Sequence, residues 1–179
     1  MRTRGFTLIE LLVVLAIVAV LTTLAAPAFQ RQIQTARISS AVNIFLADMR
    51  FARSEAMRRS TPVTLCRSNA PEAQPPTCAV GPQGSGWVSG WIVYHAGNGD
   101  GVIDADEIIR VQSRIDTIDA IKEAGPASTK IELTATGRLK HGLLVTSLVF
   151  GDSAFSPDAK RRVCISVGGR ARIGPTAGC

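Results

Sequence analysis

Apolar positions fall into three regimes along the chain. The first is a block that begins at Phe6 and holds no charged residue from Leu11 to Phe29. Nineteen residues of helix at 1.5 Å rise extend roughly 28 Å, about the thickness of a bilayer's hydrocarbon core. Beyond Phe29 the pattern becomes periodic. Ile38, Val42, Phe45, Met49, Ala52 and Ala56 recur at alternating intervals of four and three, which places them on one helix face. Arg37, Asp48, Arg50, Arg53, Glu55, Arg58 and Arg59 lie largely off that face. The spacing predicts one helix over 6–59, with Pro27 as the place for a kink. Its first half, 6–29, suits lipid, and its second half suits packing on a domain.

The third regime starts at Pro62, which ends the helix. Strand-like runs follow at 62–66, 87–94, 108–112, 129–135, 143–150 and 162–167, separated by Pro75-Pro76, Gly81-Pro82, Gly84-Ser85-Gly86, Gly125-Pro126, Gly137, Gly151 and Gly168-Gly169. No second helix of any length is predicted. The expected class is α+β, a long N-terminal helix packed on an antiparallel β domain of about six to eight strands over 60–179. Trp87, Trp91 and Tyr94 are expected to alternate between sheet faces, with Trp87 and Trp91 partly in the core.

At 179 residues the chain is sized for one domain plus an anchor. The net charge of +6 is unevenly placed: residues 31–60 carry +4, residues 61–128 carry −4 and residues 129–179 carry +5. That is a polarised surface, although charges placed for solubility give the same ledger.

Four cysteines, Cys66, Cys78, Cys164 and Cys179, suit an oxidising compartment. Three pairings exist for four cysteines, and two short loops are on offer, Cys66–Cys78 and Cys164–Cys179. Zinc is the rival, but no Cys-x-x-Cys pair occurs and neither His95 nor His141 sits at ligand spacing. The histidines have no nucleophile at motif spacing, and Ser54, Ser85 and Ser89 lie in no nucleophile elbow. No enzyme and no cofactor is expected.

A carboxylate at Glu10, inside the apolar block, costs about 2.5–3.5 kcal/mol on insertion scales, and residues so placed are usually functional. An ordinary signal peptide, cut near Ala25-Ala26-Pro27-Ala28, has no use for it. The run Gly5-Phe6-Thr7-Leu8-Ile9-Glu10-Leu11-Leu12-Val13-Val14 resembles the type III signal sequence of type IV pilins and type II secretion pseudopilins. The resemblance implies a leader of residues 1–5, cleavage by a prepilin peptidase after Gly5, and methylation of the new amino terminus at Phe6. It also gives Glu10 an assembly role, pairing with the amino group of Phe6 on a neighbouring pilin subunit and setting the axial register. The location implied is the inner membrane, single-pass, with Arg2 and Arg4 on the cytoplasmic side and the domain in the periplasm.

Ala52-Arg53-Ser54-Glu55-Ala56, Pro62-Val63-Thr64-Leu65-Cys66 and the stretch from Gly86-Trp87 to Gly90-Trp91-Ile92-Val93 resemble the FimT/GspH branch of minor pilins and pseudopilins. Gly169-Arg170-Ala171-Arg172 resembles the DNA-binding motif of FimT minor pilins that act in natural transformation. The resemblance implies binding of double-stranded DNA by Arg170 and Arg172, with Lys160, Arg161 and Arg162 as helpers. Two arginines at i and i+2 of an extended segment point to one side about 7 Å apart, close to the spacing of phosphates along a strand. The alternative is a secretion pseudopilin whose Gly-Arg ending only solvates the tail.

The segment 98–107 invites a calcium reading, with Asn98, Asp100, Asp104 and Glu107 on ligand positions of an EF-hand loop aligned at Gly101. The first position is Ala96 and no helices flank the segment, so a polar hairpin loop without metal is expected.

Overall fold

A computed structural model describes residues 7–81, 84–95, 97, 102–124, 129–140, 147–175 and 178–179, apart from the side chain of Leu24. Helix α1 spans Leu8–Arg59 and continues through Pro27. Thr7 caps its start and Ser60, in the left-handed region at φ 54°, ends it. The strands are β1 (Val63–Arg67), β2 (Trp91–His95), β3 (Ile108–Gln112), β4 (Ile121–Glu123), β5 (Lys130–Leu133), β6 (Ser147–Phe150), β7 (Arg161–Ile165) and β8 (Ala171–Gly174). They form two antiparallel sheets, one in the order β3-β2-β1-β5 and the other β4-β6-β7-β8.

The two halves of α1 have opposite surroundings. Leu8 to Val20 and Phe29 are about half or more exposed, whereas Ile38, Val42, Phe45, Met49, Ala52 and Ala56 are at most 1% exposed. The periodic stripe is therefore the surface on which both sheets pack. Phe45 is the hub: its ring meets Trp87 at 6.0 Å, Trp91 at 5.6 Å and Phe150 at 5.8 Å, all edge-on. Edge-to-face pairs of this kind contribute beyond the area they bury.

Three expectations change. The run 87–94 is not one strand. Trp87–Ser89 forms a 3-10 turn, and Gly90 at φ +112° breaks the extended chain before β2 begins. Both indoles consequently turn inward, fully buried and 6.4 Å apart, instead of being only partly in the core. Strand β4 was not anticipated, because three residues show no usable alternation. The tail around Arg170 and Arg172, legible in the sequence only as an extended segment, is β8, an edge strand of its sheet.

Two buried polar groups knit the layers together. Trp91 donates its indole N–H to Asp48 of α1 at 2.8 Å, and Arg110 of β3 lies 3.0 Å from the other carboxylate oxygen. Arg67, wholly buried, donates to the carbonyl of Gly81 and faces Glu123, which also accepts from Trp87 at 2.9 Å.

Candidate functional site

Of the amino-terminal signal, Gly5 and Phe6 lie outside the described residues. Thr7 begins the described chain, and its hydroxyl accepts the backbone N–H of Glu10 at 3.3 Å. Thr7-Leu8-Ile9-Glu10 has the form of a capping box, a signal that the sequence carried and that fixes where the helix starts. Glu10 is exposed on the first turn and, among the described residues, makes no ion pair.

The basic tail is the β7–β8 hairpin. Its tip is Val167-Gly168-Gly169, closed by the Ser166 N–H donating to the Arg170 carbonyl at 2.9 Å and the Gly169 N–H to the Ser166 carbonyl at 2.8 Å. Gly169 holds φ +74°, the left-handed position that a three-residue hairpin loop requires. A side chain there would also collide with the carbonyl oxygen of Gly137, 2.1 Å from an ideal Cβ. The hairpin tip thus rests on the Thr134–Arg138 turn beyond β5, and the Leu139 N–H donates to the Val167 carbonyl at 2.9 Å, which ties the two sheets together at this end. Cys164 stands opposite Arg172 in the ladder and is bonded to Cys179, Cα to Cα 5.7 Å. Cys66 and Cys78 form the second disulfide.

Arg170 and Arg172 are exposed, and among the described residues neither makes an ion pair. The other three predicted basic residues sit differently. Arg161 is half-buried and donates to the carbonyls of Asp158 at 2.7 Å and Lys160 at 2.9 Å. Arg162 is half-buried and donates to the Ser147 hydroxyl at 3.0 Å. Lys160, half-buried, lies near Asp152, whose carboxyl is held below its usual range first by Lys122 and more weakly by Lys160. These three occupy the far end of β7 and are partly engaged.

Sequence reasoning missed what the hairpin tip meets. Beside it is a depression of about 300 Å³ lined by Arg50, Arg53, Ser54 and Met57 of α1 and by Gly169, Arg170 and Ala171. The helix residues are spaced i, i+3, i+4 and i+7, so they share one face. That face was legible as polar, but not what it would face. Arg53 donates its Nε–H to the Gly137 carbonyl at 3.0 Å. Further along, Arg58 and Arg59 both bind Glu55, at 2.6 Å and 2.8 Å, and hold its carboxyl down at about 2. Of the six arginines of α1, Arg58 and Arg59 thus share one carboxylate, whereas Arg50 and Arg53, like Arg31 and Arg37, have none among the described residues.

Residues 98–101 of the segment considered for calcium lie outside the described residues, as does His141. Within the described part Glu107 is buried and accepts the backbone N–H of Gly97 at 2.6 Å and of Asp104 at 3.3 Å, which is loop-closing work.

A family model described as Type II transport protein GspH matches residues 41–169, and one described as the prokaryotic N-terminal methylation motif matches residues 1–26. Among solved structures, the type IV minor pilin FimU of Pseudomonas aeruginosa strain PAO1 is similar. One crystal form has a TM-score of 0.55 at 22% identity, over 78% of this chain and 90% of that one. A second form has a TM-score of 0.50 at 22% identity, over 78% of this chain and 94% of that one. At such identity the likeness is one of fold, a long amino-terminal helix on antiparallel sheets. No curated protein matches. With the methylation motif at its amino terminus and the GspH model matching most of its length, the chain belongs to the GspH family of type IV pilin-like subunits.

Proposed function

We propose that this chain is a minor pilin of a type IV pilus that binds double-stranded DNA, without regard to sequence, for uptake in natural transformation. The observation that carries the reading is the pair Arg170 and Arg172: exposed, without ion pairs among the described residues, on a hairpin closed by a disulfide and seated on a second turn. Such a hairpin loses little conformational freedom on binding. Arginine suits phosphate through its planar fork of donors. Residues 161–179 contain no Phe, Tyr or Trp, so base stacking is not on offer and contacts go to the backbone.

The same reading assigns the amino terminus. A prepilin peptidase cuts after Gly5 and the new terminus, Phe6, is methylated. Residues 6–29 hold the subunit in the inner membrane, the domain faces the periplasm, and Glu10 pairs with the Phe6 amino group of the next subunit as the filament grows.

A second reading, a pseudopilin of a type II secretion system, is favoured by the description of the matching family. The experiment that separates them is Arg170→Gln with Arg172→Gln in cells, scored for transformation frequency and filament number together. The first reading expects transformation to fall with filaments unchanged. Unchanged transformation, with loss of protein export, supports the second.

A further inference from the structure

We infer that Arg50 and Arg53 of α1 form, with Arg170, a second phosphate-binding point, so that bound DNA runs from the hairpin tip onto the helix. This rests on the DNA reading above and extends it to residues outside the tail.

Three observations carry it. First, the depression between α1 and the hairpin is lined by three arginines and no acid. Like charges gathered around one concavity repel, and an anion seated there removes the repulsion. Second, Arg53 is held in place. Its Nε–H is committed to the Gly137 carbonyl at 3.0 Å, which fixes the guanidinium plane, and its two terminal nitrogens, without a partner among the described residues, suit a bidentate anion contact. Arg50 stands one turn away on the same face. Third, the next arginines along the helix, Arg58 and Arg59, share the carboxylate of Glu55, whereas Arg50 and Arg53 have no carboxylate among the described residues.

The anion chemistry, a phosphodiester or phosphomonoester, has two sources, nucleic acid and lipid headgroup. Arg50 lies 21 residues beyond Phe29, roughly 30 Å further along the helix at 1.5 Å per residue. The headgroups of a bilayer spanned by 6–29 do not reach it. Arg170, by contrast, lines the same depression, so a backbone already held at the tip passes over it.

The test uses the mature full-length chain in neutral detergent, titrated into a fluorescent duplex across a salt series. Each phosphate contact adds about 0.9 to the magnitude of the log–log salt slope. Arg50→Gln should flatten the slope by about 0.9, and Arg50→Gln with Arg53→Gln by about 1.8. Arg50 is exposed and its side chain has no bond among the described residues, so its single variant reports on binding even if the Arg53 change loosens the Gly137 turn. Arg170→Gln with Arg172→Gln is measured alongside. If the tail variant weakens binding while Arg50→Gln matches the parent, the helix site is overturned, the DNA reading stands, and Arg50 is left for a protein neighbour. If the parent binds no duplex at low salt, the DNA reading falls and the helix site falls with it. Vesicles of phosphatidylcholine and phosphatidylglycerol in place of the duplex should not distinguish Arg50→Gln from the parent, and a difference there would overturn the assignment to nucleic acid.

Discussion

Gly169 is where the seating of the site is most exposed to a single change. Replacing it with alanine has two consequences that act together. The backbone stays at φ +74°, a region that costs an ordinary L-residue roughly 1–2 kcal/mol. The new Cβ would also stand 2.1 Å from the Gly137 carbonyl oxygen, so one of the two turns must move, and overpacking of this kind costs about 1–3 kcal/mol. The Gly137 oxygen has little room to yield, because Arg53 holds it at 3.0 Å. The total is roughly 2–5 kcal/mol, or about 4–20 °C in Tm for a chain of this size. Gly168, its neighbour in the same loop, is the control: an added Cβ meets only the Ser166 hydroxyl at 3.8 Å, and Gly168→Ala should stay within about 0.5 kcal/mol of the parent. Thermal melts by circular dichroism in detergent measure both. Affinity for duplex should fall in the Gly169 variant although no charge is removed. Equal melting of Gly168→Ala and Gly169→Ala would refute the claim that the hairpin tip is seated on the Gly137 turn.

Other outcomes follow from the same geometry. Mass spectrometry of exported protein should show loss of residues 1–5 and gain of one methyl group, whereas a mature chain beginning beyond Ala26 would contradict the assignment of Gly5 and Phe6. Replacing Cys164 and Cys179 together with serine opens a loop of sequence separation 15 and should lower stability by about 3 kcal/mol in denaturant melts; no change would mean that the tail is held by other contacts. Burial pushes the Asp48 carboxyl up, partly opposed by Trp91 and then Arg110. The native state therefore holds that proton more tightly than the unfolded chain, and Asp48's contribution declines as pH rises above about 4. Asp48→Asn keeps an acceptor for Trp91 and should remove that part of the decline, while Asp48→Ala orphans the indole N–H and should cost roughly 2–4 kcal/mol. Denaturant melts at pH 5 and pH 8 check both, and an Asn variant with the parent's pH dependence would contradict this account of Asp48.

The parts of the molecule legible in its sequence are those set by local rules. Helical spacing from Ile38 to Ala56 marked the face that both sheets cover, because a helix buries what its period brings together. The apolar block before it has no stripe, and the structure leaves it exposed. Strands long enough to show a pattern, such as Ile108–Gln112, appeared close to where they were expected. What was lost depended on contacts between distant segments. Trp87 and Trp91 read as strand residues because the glycines beside them are silent about direction until the 3-10 turn is seen. Arg53 is legible only as a residue off the apolar helix face, and only the folded chain brings the Gly137 carbonyl and the hairpin tip beside it. The tail motif could be named from Gly169-Arg170-Ala171-Arg172, but its seating on the opposite sheet could not.

Equilibrium binding of the mature chain to unrelated duplexes, followed from low to moderate salt, tests the proposed role most directly. The account predicts similar affinity for every sequence and a steep loss with salt. Arg170→Gln with Arg172→Gln should weaken binding uniformly and flatten the log–log slope by about 1.8, with the melting temperature unchanged because exposed charges contribute little to the fold. A salt-insensitive interaction, or a double variant that binds as tightly and with the same slope as the parent, would contradict it.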